Sequence, residues 1–231
     1  MPNLAKKVQT RIESLYDVKL IKNIEDFITD KTKHVEDFIK KDKKIKYTIH
    51  ENNKNGFIYC KIFKDKLESL IYINPEVIKN LNKNNPFNSL NKKNITDFLV
   101  LVEEVDHWEY INNKFQLRKT PSNFEIELQA AVTKYWLSIR LMVENKHELT
   151  EKDKDFLMFN VFPKTCLKLN IDGTLERGEY HIPELIAKDY CEYLTRKEIN
   201  TILFSLRKFY RMDGKEKVDY IMRDFKKNPV L

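Results

Sequence analysis

Glu103, Glu104 and His107 fall within the stretch FLVLVEEVDHWEYI, residues 98–111. Carboxylates and an imidazole can hold a divalent cation, and they also move protons at ordinary pH. Glu103 and His107 are four residues apart, so on a helix one lies above the other on one face. Glu104 sits one residue's rotation away. Phe98, Leu101, Val102, Val105 and Trp108 form a wide apolar arc, extended by Leu99 and Val100, which marks a buried helix. Buried charge is costly unless it is paired or bound to a metal. Two readings follow. One is a metal site. The other is an i,i+4 charge pair where a core helix reaches the surface, contributing about 0.2–0.5 kcal/mol.

The next apolar segment, NFEIELQAAVTKYWLSIRLMV, adds a third group. Thr120-Pro121 is a good helix start, with a capping oxygen and then Pro at the first position, and Ser122 and Glu125 offer a rival capping box. Glu127 has no such local task. It follows His107 by 20 residues and precedes Ala130 and Ala131, small enough to let this helix approach another closely. Metallopeptidases of the zincin type carry H-E-x-x-H on a buried helix, and in the gluzincin branch a Glu on the following helix completes the ligand set. Glu103-Glu104-Val105-Asp106-His107 resembles that motif with Glu in place of the first His. The resemblance covers roughly residues 44–145. It implies that Glu103, His107 and Glu127 hold a divalent metal such as zinc, and that Glu104 is the general base.

The Glu at position 103 is a departure from the pattern. An added carboxylate lowers the ion's effective charge, so the ion acidifies water less and zinc is suited less well. The expected function is therefore a zincin-like, metal-dependent peptidase acting on protein or peptide, or a pseudoenzyme on that scaffold. The alternative is a non-catalytic, mainly helical interaction protein that binds protein or nucleic acid.

Three segments must position these residues. Residues 1–43 read as helical, with Leu15, Val18, Ile21, Ile24, Phe27 and Ile28 near helical spacing and a break around Asp30–His34. Residues 44–145 form the zincin-like core. Within it KIKYTIH (44–50), GFIYCKIF (56–63) and ESLIYIN (68–74) predict a three-stranded antiparallel meander, with a turn at 51–56. Pro75 starts a short helix. Residues 79–94, with seven Asn and four Lys, predict a long polar loop. Residues 146–231 form a C-terminal helical subdomain, with helices near 150–159, 183–194, 196–210 and 214–226 and a turn at 170–180. The fold class is α+β: a small meander packed on a mainly helical body.

Composition narrows the classes further. Only 4 Gly and 7 Pro in 231 residues disfavour a turn-rich all-β fold. Cys60, Cys166 and Cys191 form no C-x-x-C pair, which argues against a cysteine zinc site and for reduced thiols. The N-terminus lacks an apolar signal core and no run is long enough to span a membrane, so a cytoplasmic protein without membrane association is expected. The net charge of +7 is spread along the chain, which fits a solvated surface better than a nucleic-acid patch. No nucleophile elbow or phosphate loop is present. His34, His50, His147 and His181 do not supply the second Glu-x-x-His of a di-iron bundle in a suitable place. Tyr180-His181 reads as surface and packing rather than as an oxyanion donor. Residues 206–227 mix basic and aromatic types at a spacing that favours a packed stripe over a nucleic-acid surface.

Overall fold

Alternating β-branched and aromatic residues favour strands that pair on a half-buried face. In the computed structural model, which describes residues 2–40, 47–49, 55–63, 66–146, 148–163 and 181–227, they do so in β2 (Tyr47–Ile49), β3 (Gly56–Phe63) and β4 (Lys66–Ile73). The two pairings are antiparallel, with Ile58 opposite Ile49 on one side and Ile71 on the other. The meander expected from the sequence is present. The sheet is not purely antiparallel, however. A two-residue strand β1 (Ile28–Thr29) adds to β4 in parallel, giving the order β1-β4-β3-β2.

That extra strand corrects the reading of the N-terminal segment. Helix α1 (Pro2–Tyr16) stops where Asp17 takes a left-handed conformation, φ 54°. Ile24–Asp26 forms a 3₁₀ turn, and α2 (Thr32–Lys40) starts beyond β1. The apolar spacing of residues 21–28 suggested a helix, but Ile21 is 96% exposed while Ile24 is fully buried. Burial of Ile24 is achieved by the 3₁₀ turn, and Gln9 fixes that turn by accepting from the Ile24 amide and donating to the Lys22 carbonyl.

Pro75 opens α3 (Pro75–Lys83), with the Asn74 side chain accepting from the Glu76 amide. The Asn-rich stretch is shorter as a loop than expected, because α3 takes residues 79–83. The remainder is held by its own amides. Asn94 donates to the Asn84 and Ser89 carbonyls and accepts from the Asn91 amide, and it is almost fully buried. Asn residues are frequent there because their side chains replace missing backbone partners.

The longest helices follow: α4 (Ile95–Gln116) and α5 (Asn123–Lys146). Ser122 Oγ accepts from the Glu125 amide and so caps α5. The Glu125 carboxylate does not complete a capping box; it accepts from Tyr110 and meets Lys114. Helices α6 (Glu151–Val161), α7 (His181–Leu194), α8 (Ile199–Arg211) and α9 (Gly214–Lys227) complete the body, with Thr150 and Asp153 forming a full capping box on α6. Residues 51–54 of the turn expected at 51–56, the turn expected at 170–180, residues 44–46 and 50, Cys166, His147 and Tyr180 lie outside the described residues, and Gly56 belongs to β3. One apolar core runs from Leu4 to Ile221 and passes through α4. No helix among the described residues is long and apolar enough to cross a membrane.

Candidate metal centre

Helix α4 is covered on nearly every side. The sheet lies over one face, where Trp108 Nε1 donates to Ser69 Oγ of β4 at 3.0 Å. Helix α5 packs along another, and Ala130 and Ala131 are at most 1% exposed. This is the close approach that the paired alanines allow. It brings Glu127 of α5 to the Glu103–His107 face of α4. Each of the three residues offers a ligand atom, and these atoms all lie within 4.8 Å of one another.

His107 is fully buried and lies between two carboxylates. Its Nε2 is 3.8 Å from Glu127 Oε1, and its Nδ1 is 3.8 Å from Glu104 Oε2. Neither ring nitrogen has a partner at hydrogen-bonding distance. Two donors about 2.1 Å from a shared ion stand at most about 4.2 Å apart. The Nε2–Oε1 spacing is already within that limit, and since three donors around one ion stand about 3.4–3.6 Å apart, the whole group, now within 4.8 Å, closes on an ion with shifts of under about 1 Å per donor. The residues present therefore fit a divalent cation.

The electrostatics agree. Burial lowers the basicity of His107, but Glu127, Glu104 and Glu103 outweigh it and push the imidazole up to about 9. The pocket thus holds a positive charge strongly whether the carrier is a proton or an ion. A second cation is already built in. Lys134 Nζ lies 3.2 Å from Glu103 Oε2, and Lys134 is only 7% exposed. Burial opposes its charge, while Glu103, Glu184 and Glu127 together raise its basicity above the ordinary range.

Of the residues that the sequence singles out, the structure gathers Glu103, His107 and Glu127 into one group, and Glu104 stands outside it. Glu104 lies on the Nδ1 side of the ring, away from Glu127, and is fully buried. Two further participants went unnoticed. Lys134 follows Glu127 by seven residues, two turns along the same face of α5, so its periodicity could have revealed it. Gly56, one of only four glycines, opens β3 directly over Glu104. A Cβ there would stand 3.0 Å from Glu104 Cγ and 3.1 Å from Val100 Cγ1. A glycine inside a strand pattern signals this kind of close approach.

A second polar cluster occupies another side of α4. Thr133 Oγ1 lies 2.8 Å from Asp106 Oδ1 and 2.7 Å from the Tyr16 hydroxyl, and Gln129 Nε2 reaches it at 3.2 Å. Gln129 in turn accepts from the fully buried Lys217 of α9 at 2.7 Å. The Lys217 ammonium lies 4.3 Å from the Tyr110 ring centroid and 4.7 Å from that of Phe209. Glu109 is wholly buried beside Asp106 and Glu13, and burial raises its carboxyl well above the usual range.

No protein-family model, curated protein or solved structure matches this chain.

Proposed function

We propose that the chain is a metal-dependent hydrolase of peptide bonds on a zincin-like scaffold. The observation that supports this most directly is the convergence of Glu103, His107 and Glu127, with the imidazole buried and the two carboxylates partly exposed. When bound there, a divalent cation supplies Lewis acidity toward water and a carbonyl oxygen. The chain's own residues provide the rest. His107 gives Nε2 to the ion only as the neutral ring, so ion binding displaces its proton. Glu104 then faces the remaining Nδ1–H and fixes the ring's orientation, as carboxylates behind ligating histidines do. To act as the base toward water on the ion, the same carboxylate has to leave Nδ1 and turn to the Nε2 side of the ring, so its two tasks are successive rather than simultaneous. His107 is fully buried, whereas the Glu103 and Glu127 side chains keep 17% and 13% of their surface exposed, which leaves the site a way in for water and substrate.

Purified protein should carry about one divalent ion per chain by elemental analysis. Glu104→Gln retains an acceptor for Nδ1–H but loses the base. It should keep the ion and lose hydrolysis of a mixed fluorogenic peptide library. Absence of bound ion, together with no thermal shift on adding zinc, manganese or iron, would defeat the proposal.

A further inference from the structure

Glu103 occupies a position where the resembling enzymes have a neutral imidazole, and that substitution adds one negative charge to the ligand set. Glu103 and Glu127 with a neutral His107 carry −2, whereas a set of two His and one Glu carries −1. The ammonium of Lys134, buried and 3.2 Å from Glu103, restores the sum to −1.

We propose that Lys134 is a positioning residue that cancels the charge of Glu103 and restricts it to one-oxygen ligation, so that Glu103 serves the ion as an imidazole would. This inference rests on the metal-site reading above. Three observations carry it. The ammonium meets one named oxygen of Glu103, Oε2, and so favours ligation through the other lone pairs rather than a symmetrical two-oxygen grip. The lysine comes from α5, the helix that also delivers Glu127, so a single helix brings both the third ligand and the compensating charge. Finally, a buried ion pair is a poor device for stability alone. Apolar side chains of similar size do as well or better, so a lysine at a 7%-exposed position calls for another reason.

The test is a cobalt(II) titration of the full chain, read by visible absorption and calorimetry, on the parent and four variants. Lys134→Met keeps the apolar stem and removes the charge. It should bind Co²⁺ about tenfold more tightly or better, because a unit positive charge near the ion is lost. Its absorption band should weaken as Glu103 grips with both oxygens and the coordination number rises. Lys134→Arg keeps the charge and should return affinity and spectrum to near the parent's. Glu103→His alone makes the ligand set plus Lys134 neutral and should weaken binding about tenfold. Combined with Lys134→Met it returns to −1 and should bind within about threefold of the parent.

Equal affinity and spectrum in the parent and Lys134→Met would overturn the inference while leaving the metal site standing. A parent that binds no Co²⁺ would overturn both. If Lys134→Met does not fold, the comparison of Glu103→His with the parent decides. An unchanged or higher affinity in that variant contradicts charge compensation.

Discussion

Two sides of α4 treat buried charge in different ways. On the side facing Glu127, like charges gather round a point, and the imidazole among them has carboxylates at 3.8 Å on both nitrogens. On the side facing α1 and α9, Asp106, Thr133, Tyr16, Gln129 and Lys217 form a chain of hydrogen bonds of 2.7–3.2 Å. The second arrangement is linked through by hydrogen bonds that fix how four helices meet, although Asp106 Oδ2 and both Glu109 oxygens beside it have no hydrogen-bond partner. The first is gathered but not closed, as expected where a ligand completes the set. Buried polarity alone therefore does not mark a functional site. What distinguishes the two is that hydrogen bonds run through the second, whereas the imidazole at the centre of the first makes none and has ligand atoms of two carboxylates gathered about it.

Substitutions should separate these regions. The largest effect belongs to His107→Ala, which removes the central ligand. Ion affinity measured by calorimetry should fall by about 100-fold or more, and metal should no longer shift the melting temperature. A variant that still binds with parental affinity would place the ion elsewhere. Thr133→Val should do the reverse. It breaks contacts with Tyr16, Asp106 and Gln129 at once and leaves buried groups without their partner. A stability loss of about 2–4 kcal/mol in urea unfolding is expected, with ion affinity kept within about twofold. A large change in ion affinity would show that the two faces are coupled.

The pH response gives a milder contrast. The folded-state basicity of His107 is raised to about 9, so its protonated form stabilises the metal-free chain below the unfolded value near 6.5. That contribution is lost as pH rises through about 9. Asp106 behaves oppositely to an ordinary carboxylate. Burial outweighs the Thr133 hydrogen bond and nearby cations and raises it to about 6. Its ionisation penalises the fold above that pH, and the penalty is relieved on acidification from about 6 toward 4. Urea midpoints for the metal-free chain at pH 7 and 9.5, and for His107→Gln beside it, test the first statement. Equal pH slopes in the two would refute it. Asp106→Asn, compared with the parent at pH 5 and 7, tests the second.

The smallest effect is expected from Gly56→Ala. The added methyl meets Glu104 Cγ at 3.0 Å and Val100 Cγ1 at 3.1 Å, so one of them must shift. About 1–2 kcal/mol of destabilisation should accompany it. Any change in ion affinity should be less than that of His107→Ala, because no ligand is lost.

Much of this site was legible because helical spacing carries it. Glu103 and His107 share a face by arithmetic, and Ala130-Ala131 announced the close packing that brings Glu127 across. Lys134 was obscured by number rather than by position, since 42 lysines and arginines leave no single one conspicuous. The meander was legible from its alternation. Strand β1 was not, because two residues carry no period and their partner, β4, lies more than 40 positions further on. The second polar cluster was hidden for a related reason. Asp106 and Glu109 are charged residues that local sequence assigns to solvent, and they are covered by helices distant in sequence, with Thr133 of α5 and Tyr16 of α1 beside Asp106.

That covering has a consequence for how the chain matures on the ribosome. The ring of Tyr16 stacks on Tyr210 at 4.4 Å, and Lys217 closes on Gln129, so the start, middle and end of the chain share one contact zone. During synthesis, α4 emerges with its greasy and charged faces both bare and must wait about 100 further residues for the helices that cover them, at the ordinary pace of about 5–20 residues per second. For several seconds the nascent protein should be sensitive to protease and attractive to chaperones, and it should become resistant only once α9 clears the exit tunnel. Arrested chains of graded length, probed by brief proteolysis, would show this as a single late step rather than a gradual gain.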